Sequence, residues 1–189
     1  MAVTLRATKG SRLTHAEMDE NWKSVMGGHN FLHIQDQKAQ GADSGTFTSG
    51  AWRTRDLNTV LTNTITGASL AANQITLPAG TYYVEASAPA RTGGDTIRSH
   101  QARLYDTMGS GSELIIGTTE RARMEAISTD ASIRSCIFGC FELSESSTIE
   151  LQHQCLATES TEGFGFAADF ATEVYSDIRI WRLGEYEEE

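Results

Sequence analysis

The chain has 189 residues, of which 39% are hydrophobic and 21% are charged, and its formal net charge is −10. That length suits one domain with an appendage, and seventeen glycines beside only two prolines argue against a disordered or collagen-like chain. The acidic balance disfavours a nucleic-acid partner, because affinity for the phosphate backbone depends on Lys and Arg.

The beginning of the chain carries no pattern for secretion, and no segment suits membrane insertion. Residues 1–15 lack the apolar stretch of roughly 7 to 15 residues that a signal peptide needs. No window approaches the ~18 apolar residues of a membrane span. We therefore expect the protein to be made and folded in a cytoplasm.

The first predicted element is a short helix within residues 12–25, RLTHAEMDENWKSV. Thr14 is a suitable N-cap, and Glu17 follows at the spacing of a capping box. Gly27 and Gly28 provide a stop. The helix is therefore predicted to be bounded at both ends by local signals.

One face of this helix carries a largely apolar stripe with the 3-4-3 spacing of a coiled-coil seam, formed by His15, Met18, Trp22 and Val25. Two heptads are too short to be stable alone. Three arrangements therefore remain open: packing about a three-fold axis, docking on the β-domain of the same chain, or insertion into a neighbouring protein.

From His33 onward the hydrophobic pattern has the period of two that is typical of strands. In GTYYVEASAPA, residues 80–90, the even positions from 82 to 88 form one apolar face. Turn-like breaks separate the apolar runs at 77–80, 91–95, 107–112, 144–147 and 160–165. The pattern predicts eight to ten strands in an antiparallel sandwich, with the last apolar strand, 177–183, at or near the centre of a sheet.

The cysteines, Cys136, Cys140 and Cys155, are few and odd in number. Buried or half-buried thiols are the default expectation. If the strands that flank residues 144–147 pair with each other, Cys136 and Cys155 fall roughly opposite, and a disulfide is the alternative.

Two parts of the chain resemble known families. The segments ITLPAGTYYVEASAPA, ARLYD, IELQHQC, GFGFA and EVYSDIRIW resemble a trimeric jelly roll of the tumour-necrosis-factor and complement globular-head type, as found in bacteriophage virion proteins. The segment TLRATKGSRLTHAEMDENW is similar to an N-terminal segment of phage tail-fibre proteins that reads close to KGSPLTHAEMD. Arg12 replaces the usual proline, which removes a rigid turn but leaves the capped helix.

The jelly-roll resemblance implies a homotrimer and positions for its contacts. It places Gly80 at a strand entry and Trp52 near the start of a strand. A trimeric head buries one flank of each subunit. The candidates for that flank are aromatic residues at strand positions that alternate with the core positions, so that their side chains point away from the core. These are Tyr83, Tyr105, Tyr175 and Trp181.

The sequence offers no clear catalytic or metal-binding pattern. The five histidines lack the spacing of zinc ligands, and His29 and His33, four residues apart, lie in a stretch that we expect to be extended. Neither a nucleophile elbow nor a phosphate loop occurs. Paired carboxylates, as in glycan-cutting spikes, are the remaining enzymatic option. We predict no catalytic residue, no metal and no cofactor.

Receptor contacts usually fall on loops, and here the candidates are 91–95, 107–112, 120–130 and 144–147. The third loop has a mixed-charge stretch that suits a sugar or protein partner: Glu120, Arg121, Arg123 and Glu125. A solvated loop without a partner is the alternative.

These observations predict an all-β jelly roll, residues 31–184, preceded by an anchoring arm and helix, residues 1–30, and followed by an acidic tail, residues 185–189. The helix residues expected to attach the chain to a particle are Thr14, Glu17, Met18, Trp22 and Val25. The predicted function is a short phage fibre in the virion that presents a trimeric host-recognition head. The predicted partners are two further copies, other virion proteins and a host glycan or protein. A capsid decoration protein and a glycan-degrading enzyme are the alternatives.

Overall fold

The computed structural model describes residues 9–26, 30–92, 99–108, 111–121 and 131–183, with backbone alone for residues 20, 22–26 and 92. Within these ranges the helix α1 (His15–Met26) precedes eleven strands. The strands are β1 (Phe31–Lys38), β2 (Arg53–Thr54), β3 (Thr59–Asn63), β4 (Ser69–Ala71), β5 (Gln74–Leu77), β6 (Gly80–Thr92), β7 (Ser99–Asp106), β8 (Ser112–Arg121), β9 (Ala131–Leu143), β10 (Ser147–Cys155) and β11 (Glu173–Arg182).

The helix begins with the predicted capping box. The Thr14 backbone N–H donates to the Glu17 carboxylate at 2.7 Å, and the Glu17 backbone N–H donates to Thr14 Oγ1 at 3.2 Å. Lys9 also pairs with Glu17, and together with the Thr14 hydrogen bonds it lowers the pKa of that carboxyl to about 2. The predicted helix start is therefore confirmed, because a capping box depends only on residues three positions apart.

The strands form two antiparallel sheets. The first sheet has the order β3-β1-β11-β6-β9, and the second has the order β4-β5-β10-β7-β8 with β2 paired to β10. The last strand, β11, lies in the middle of the first sheet between β1 and β6. Its predicted central position is confirmed. A strand that is paired on both sides contributes hydrogen bonds to two neighbours, so the sheet depends on the end of the chain.

The core lies between the two sheets and follows the alternation predicted from the sequence. The side chains of Tyr82, Val84, Ala86 and Ala88 are all at most 5% exposed, and Ile137 on the adjacent β9 is fully buried. A smaller cluster of Phe47, Ala90, Cys155 and the half-buried Phe164 packs at one end. Alternating burial on both sheets is what a two-layer sandwich requires.

A bulge in β11 corrects one prediction about side-chain direction. Gln35 pairs with Asp177 and Gln37 pairs with Val174, so two residues of β11, Tyr175 and Ser176, face one residue of β1. The extra residue reverses the alternation. Tyr175 is therefore 4% exposed within the subunit, and its hydroxyl donates to the Ala42 carbonyl at 2.8 Å.

The cysteines are all free thiols, and Cys136 and Cys155 belong to different sheets. Cys136 on β9 pairs with Ser87, whereas Cys155 on β10 pairs with His100. The alternative of a Cys136–Cys155 disulfide was wrong because the strands that flank residues 144–147 do not pair with each other. Cys155 is buried and Cys136 is half-buried, as expected, but Cys140 is exposed.

Candidate functional site

The outward face of the first sheet carries a row of aromatic side chains. The strand register places Phe31, Trp181, Tyr83 and Cys140 side by side across β1, β11, β6 and β9. Ring centroids of Phe31 and Trp181 are 4.9 Å apart, and those of Tyr83 and Trp181 are 5.7 Å apart. We call Phe31, Trp181 and Tyr83, together with Phe138, the aromatic face.

Phe138 extends this face along the edge strand β9 and is 60% exposed. It precedes Cys140 by two positions on the same side of β9 and pairs with Glu85 of β6. An exposed phenylalanine on the same face of the sheet as the row of Phe31, Trp181 and Tyr83 is typical of an association surface.

A polar network lies next to the aromatic face on β1 and β11. The Asp177 carboxylate accepts hydrogen bonds from His33 Nε2 at 2.9 Å and Gln35 Nε2 at 2.5 Å, and Arg179 Nε lies 3.3 Å from it. Although partial burial disfavours its charge, the hydrogen bonds from His33 and Gln35 lower the pKa of Asp177. The face thus combines an apolar region with a fixed polar margin, as protein interfaces do.

The aromatic residues predicted for a trimer contact do not form one surface. Tyr83 and Trp181 are adjacent on the aromatic face. Tyr105 lies on the outer side of the second sheet, where it stacks on Arg103. Tyr175 is buried in the subunit, so its assignment to an exposed flank was wrong. Phe31 and Phe138 were missed, although their alternation with buried neighbours was the available signal.

The structure describes part of the predicted anchoring stripe. Thr14 and Glu17 cap α1, and Met18 is 41% exposed one residue further on. The backbone of Trp22 and Val25 belongs to α1, but their side chains lie outside the described part of the chain.

The predicted receptor residues are only partly described. Glu120 is half-buried and accepts a hydrogen bond from Thr118 Oγ1 at 2.9 Å, and Arg121 is exposed at the end of β8. Arg123 and Glu125 lie outside the described residues.

A buried cationic and aromatic cluster joins the two sheets near one end. The guanidinium of Arg55 is completely buried and donates to Ser176 Oγ, the Pro89 carbonyl and the Phe164 carbonyl at 3.0, 3.1 and 3.2 Å. Its Cζ lies 4.0 Å from the Phe164 ring centroid. Burial lowers the pKa of Arg55 to about 9, which still leaves the group charged at neutral pH.

Two buried histidines lie beside this cluster. His100 Nδ1 and His153 Nε2 are 2.9 Å apart, and the second ring nitrogen of each has no hydrogen-bond partner within the described ranges. Burial, assisted by the Arg55 charge, lowers the pKa of His100 to about 4 and lowers that of His153 well below 6.5. Both rings are therefore neutral at physiological pH.

Within residues 9–26, 30–92, 99–108, 111–121 and 131–183, no three His, Cys, Asp or Glu side chains come together in an arrangement that could hold a metal ion. Among the same residues, no helix has the length and apolar character to cross a bilayer. The stretch after His29 is extended, as expected, since His33 lies in β1.

The comparisons with known proteins establish the fold. No protein-family model matches the chain, and no curated protein matches it either. Three crystal structures of murine APRIL, at pH 8.0, pH 5.0 and pH 8.5, are similar to it with TM-scores of 0.52, 0.53 and 0.52 and identities of 12%, 10% and 11%. Each alignment covers 82% of this chain and 100% of the other. The β-domain is therefore an antiparallel jelly roll of the tumour-necrosis-factor type.

Proposed function

We propose that this chain is a bacteriophage virion protein in which a trimeric jelly-roll head, held on the particle by the N-terminal helix, recognises the host surface. The observation that carries the proposal is the aromatic face on the first sheet. The capped N-terminal helix and its resemblance to phage fibre segments support the attachment to a particle.

The aromatic face needs a partner because three packed rings and an exposed Phe138 leave apolar surface in contact with water. Burial of such surface is worth roughly 25 cal/mol for each Å² removed from water. A further copy of the same chain is the simplest partner. The polar margin of Asp177 and its donors would then surround the apolar contact.

A closed ring of three subunits uses a heterologous contact, in which each aromatic face meets a different surface of the next subunit. Such a ring places three identical heads on one axis. Three heads bind a repetitive host surface with a much lower dissociation rate than one head, because each further contact is intramolecular.

The N-terminal helix suits attachment rather than independent folding. It has 12 residues, and helices shorter than roughly 12 to 15 residues are marginal in water even with good caps. The exposed Met18 belongs to the stripe that also contains Trp22 and Val25. Packing of this stripe against a particle protein, or against the same helix of two further copies, would stabilise the helix.

The oligomeric state is tested with Phe138→Asp, which adds a charge to a side chain already 60% exposed and so leaves the subunit folded. Met108→Asp is the matched control, since Met108 is 52% exposed and follows β7 of the other sheet. Light scattering should give three times the 20.6 kDa chain mass for the wild type and the control, and one chain mass for Phe138→Asp. If light scattering gives the wild type the mass of a single chain, the trimer is refuted.

The attachment is tested with Trp22→Ala, which should leave the β-domain folded and lower incorporation into particles. Asp19→Ala, an exposed helix position outside the stripe, is the control. Quantitative mass spectrometry of purified virions measures copies relative to the major capsid protein. Equal incorporation of Trp22→Ala and wild type would contradict the anchor, and hundreds of copies per particle would favour a capsid decoration protein.

A further inference from the structure

An open groove of about 380 Å³ lies over the outer side of the second sheet, away from the aromatic face. This volume is at the lower end of the roughly 300–1,000 Å³ of small-molecule sites. Its lining residues come from the loop before β2, from β7, β8 and β10, and from the residue that follows β10. They are Gly50, Trp52, Ser99, His100, Gln101, Thr119, Gln154, Cys155 and Leu156.

The groove is built on one cross-strand row. Gln154 of β10 pairs with Gln101 of β7, which pairs in turn with Thr119 of β8. Arg53 of β2 pairs with His153, so the register of β2 places the preceding Trp52 beside Gln154. An indole, two amides and a hydroxyl therefore lie side by side across four neighbouring strands.

Trp52 is held in place from outside the groove. The Arg103 guanidinium stacks on the rings of Trp52 and Tyr105, with its Cζ at 4.2 and 4.3 Å from the two centroids. Two hydrogen bonds to Gln152 Oε1, at 2.9 and 2.7 Å, fix that guanidinium. The ring is thus oriented before any ligand arrives, which lowers the entropic cost of binding.

Several polar groups of the groove lack a protein partner. Among the described residues, no side-chain hydrogen bond is formed by Trp52, Ser99, Thr119 or Gln154. Gln101 uses its amide N–H on the Gly117 carbonyl at 2.9 Å, and its amide oxygen stays available. On the inner wall, His100 is only 3% exposed and its Nε2 has no partner.

The described lining of the groove is also uncharged. None of the lining residues that the structure describes is acidic or basic at neutral pH, since burial lowers the pKa of His100 to about 4. An anionic ligand would need Arg, Lys or a helix N-terminus, and the net charge of −10 opposes it further. A purely apolar ligand would cover the amides and hydroxyls without pairing them, which is unfavourable.

We infer that this groove binds a neutral sugar residue of a surface glycan, with Trp52 against the apolar C–H face of the ring and Gln101, Gln154 and Thr119 at its hydroxyls. A sugar ring needs donors and acceptors together, and amide and hydroxyl side chains provide both. The inference rests on the proposed recognition function and names its ligand class. Glu120 and Arg121, predicted as receptor contacts, directly follow Thr119 along β8.

The test uses the full chain and saturation-transfer NMR with D-glucose, D-galactose, D-mannose, N-acetyl-D-glucosamine and N-acetyl-D-galactosamine, beside the anionic sugars D-glucuronic acid and N-acetylneuraminic acid. At least one neutral sugar should bind with a millimolar dissociation constant, and the anionic sugars should not. Absence of binding by every neutral sugar, or binding of anionic sugars alone, overturns the inference.

The variants locate the binding. Trp52→Ala should weaken it by at least tenfold, and Gln154→Ala, which leaves the Arg103 stack intact, should weaken it by about three- to tenfold, as the loss of one hydrogen bond of about 1 kcal/mol predicts. Gln40→Ala is the control, because Gln40 is exposed and its side chain, among the described residues, bonds the Asp169 carbonyl of a distant loop and no other group. Undiminished binding by folded Gln154→Ala would overturn the inference.

Light scattering and particle incorporation of the same variants separate the two proposals. Variants that stay trimeric and enter particles while no neutral sugar binds the wild type would refute the sugar site and leave the head intact. If the wild type instead binds a neutral sugar but has the mass of a single chain, the trimeric head is refuted and the sugar site stands.

Discussion

Acid should destabilise this domain through the buried pair of His100 and His153. Both imidazoles are neutral when folded, because burial and the charge of Arg55 oppose protonation. The rings of Phe47 and Phe164 lie 4.7 and 6.5 Å from the His153 ring, and Cys155 of β10 and Glu120 of β8 are the backbone partners of His100. The unfolded chain therefore binds protons more tightly at these two positions than the folded chain does.

The direction and size of the change in the free energy of unfolding with pH follow from the difference between the folded and unfolded pKa values. The pKa of His100 is 6.5 in the unfolded chain and about 4 in the folded one. Each pH unit of this gap corresponds to about 1.4 kcal/mol, so His100 alone should lower the free energy of unfolding by about 3 kcal/mol as the pH falls through that range. The loss is absent above 6.5 and complete below about 4, and His153 adds to it in the same direction.

The variant His100→Phe isolates this contribution, since it keeps an aromatic ring and removes one titrating group. It should be less stable than the wild type at neutral pH, because the ring nitrogen of His153 loses its partner at 2.9 Å. It should also lose about 3 kcal/mol less than the wild type on acidification. Urea unfolding at a series of pH values measures both. An identical dependence on pH in variant and wild type would refute the reasoning.

Three further predictions concern single side chains. Arg55→Ala should lower the free energy of unfolding by about 3 kcal/mol or more in urea, because three acceptors lose their donor and a cavity opens; a loss no larger than that of the half-exposed control Arg53→Ala would contradict this. Thr14→Ala should remove about 1 kcal/mol from the helix, seen as roughly fivefold faster amide exchange in its first turns, and unchanged exchange would argue against the capping box. Burial raises the pKa of the Cys155 thiol to about 11, so iodoacetamide and peptide mapping should show slower labelling of Cys155 than of Cys136, and the reverse order would place Cys155 at the surface.

The aromatic face shows where alternation along a strand predicts the direction of a side chain and where it fails. Tyr83 and Trp181 were predicted to point away from the core, and they do, because alternation along a regular strand is a local property. Tyr175 has the same parity as Trp181 in the sequence, but it is one of the two bulge residues opposite Asp36, and the bulge turns its ring inward. A bulge is set by the pairing of two strands, so the pattern of one strand does not reveal it.

Elements whose causes lie within a few residues of the chain could be predicted from the sequence. The capping box of Thr14 and Glu17 spans three positions, and the buried face of β6 repeats every second residue. The apolar character of the last strand, just before the acidic tail, also predicted that it lies at or near the centre of a sheet, as β11 does.

Contacts between residues far apart in the chain could not be predicted in this way. His100 and His153 are 53 positions apart, and Arg55 reaches the Phe164 carbonyl across 109 positions. The groove row joins Trp52 to Thr119 through two further strands. Such contacts depend on strand order and register, which arise from the packing of two whole sheets and leave no periodic signal in either partner.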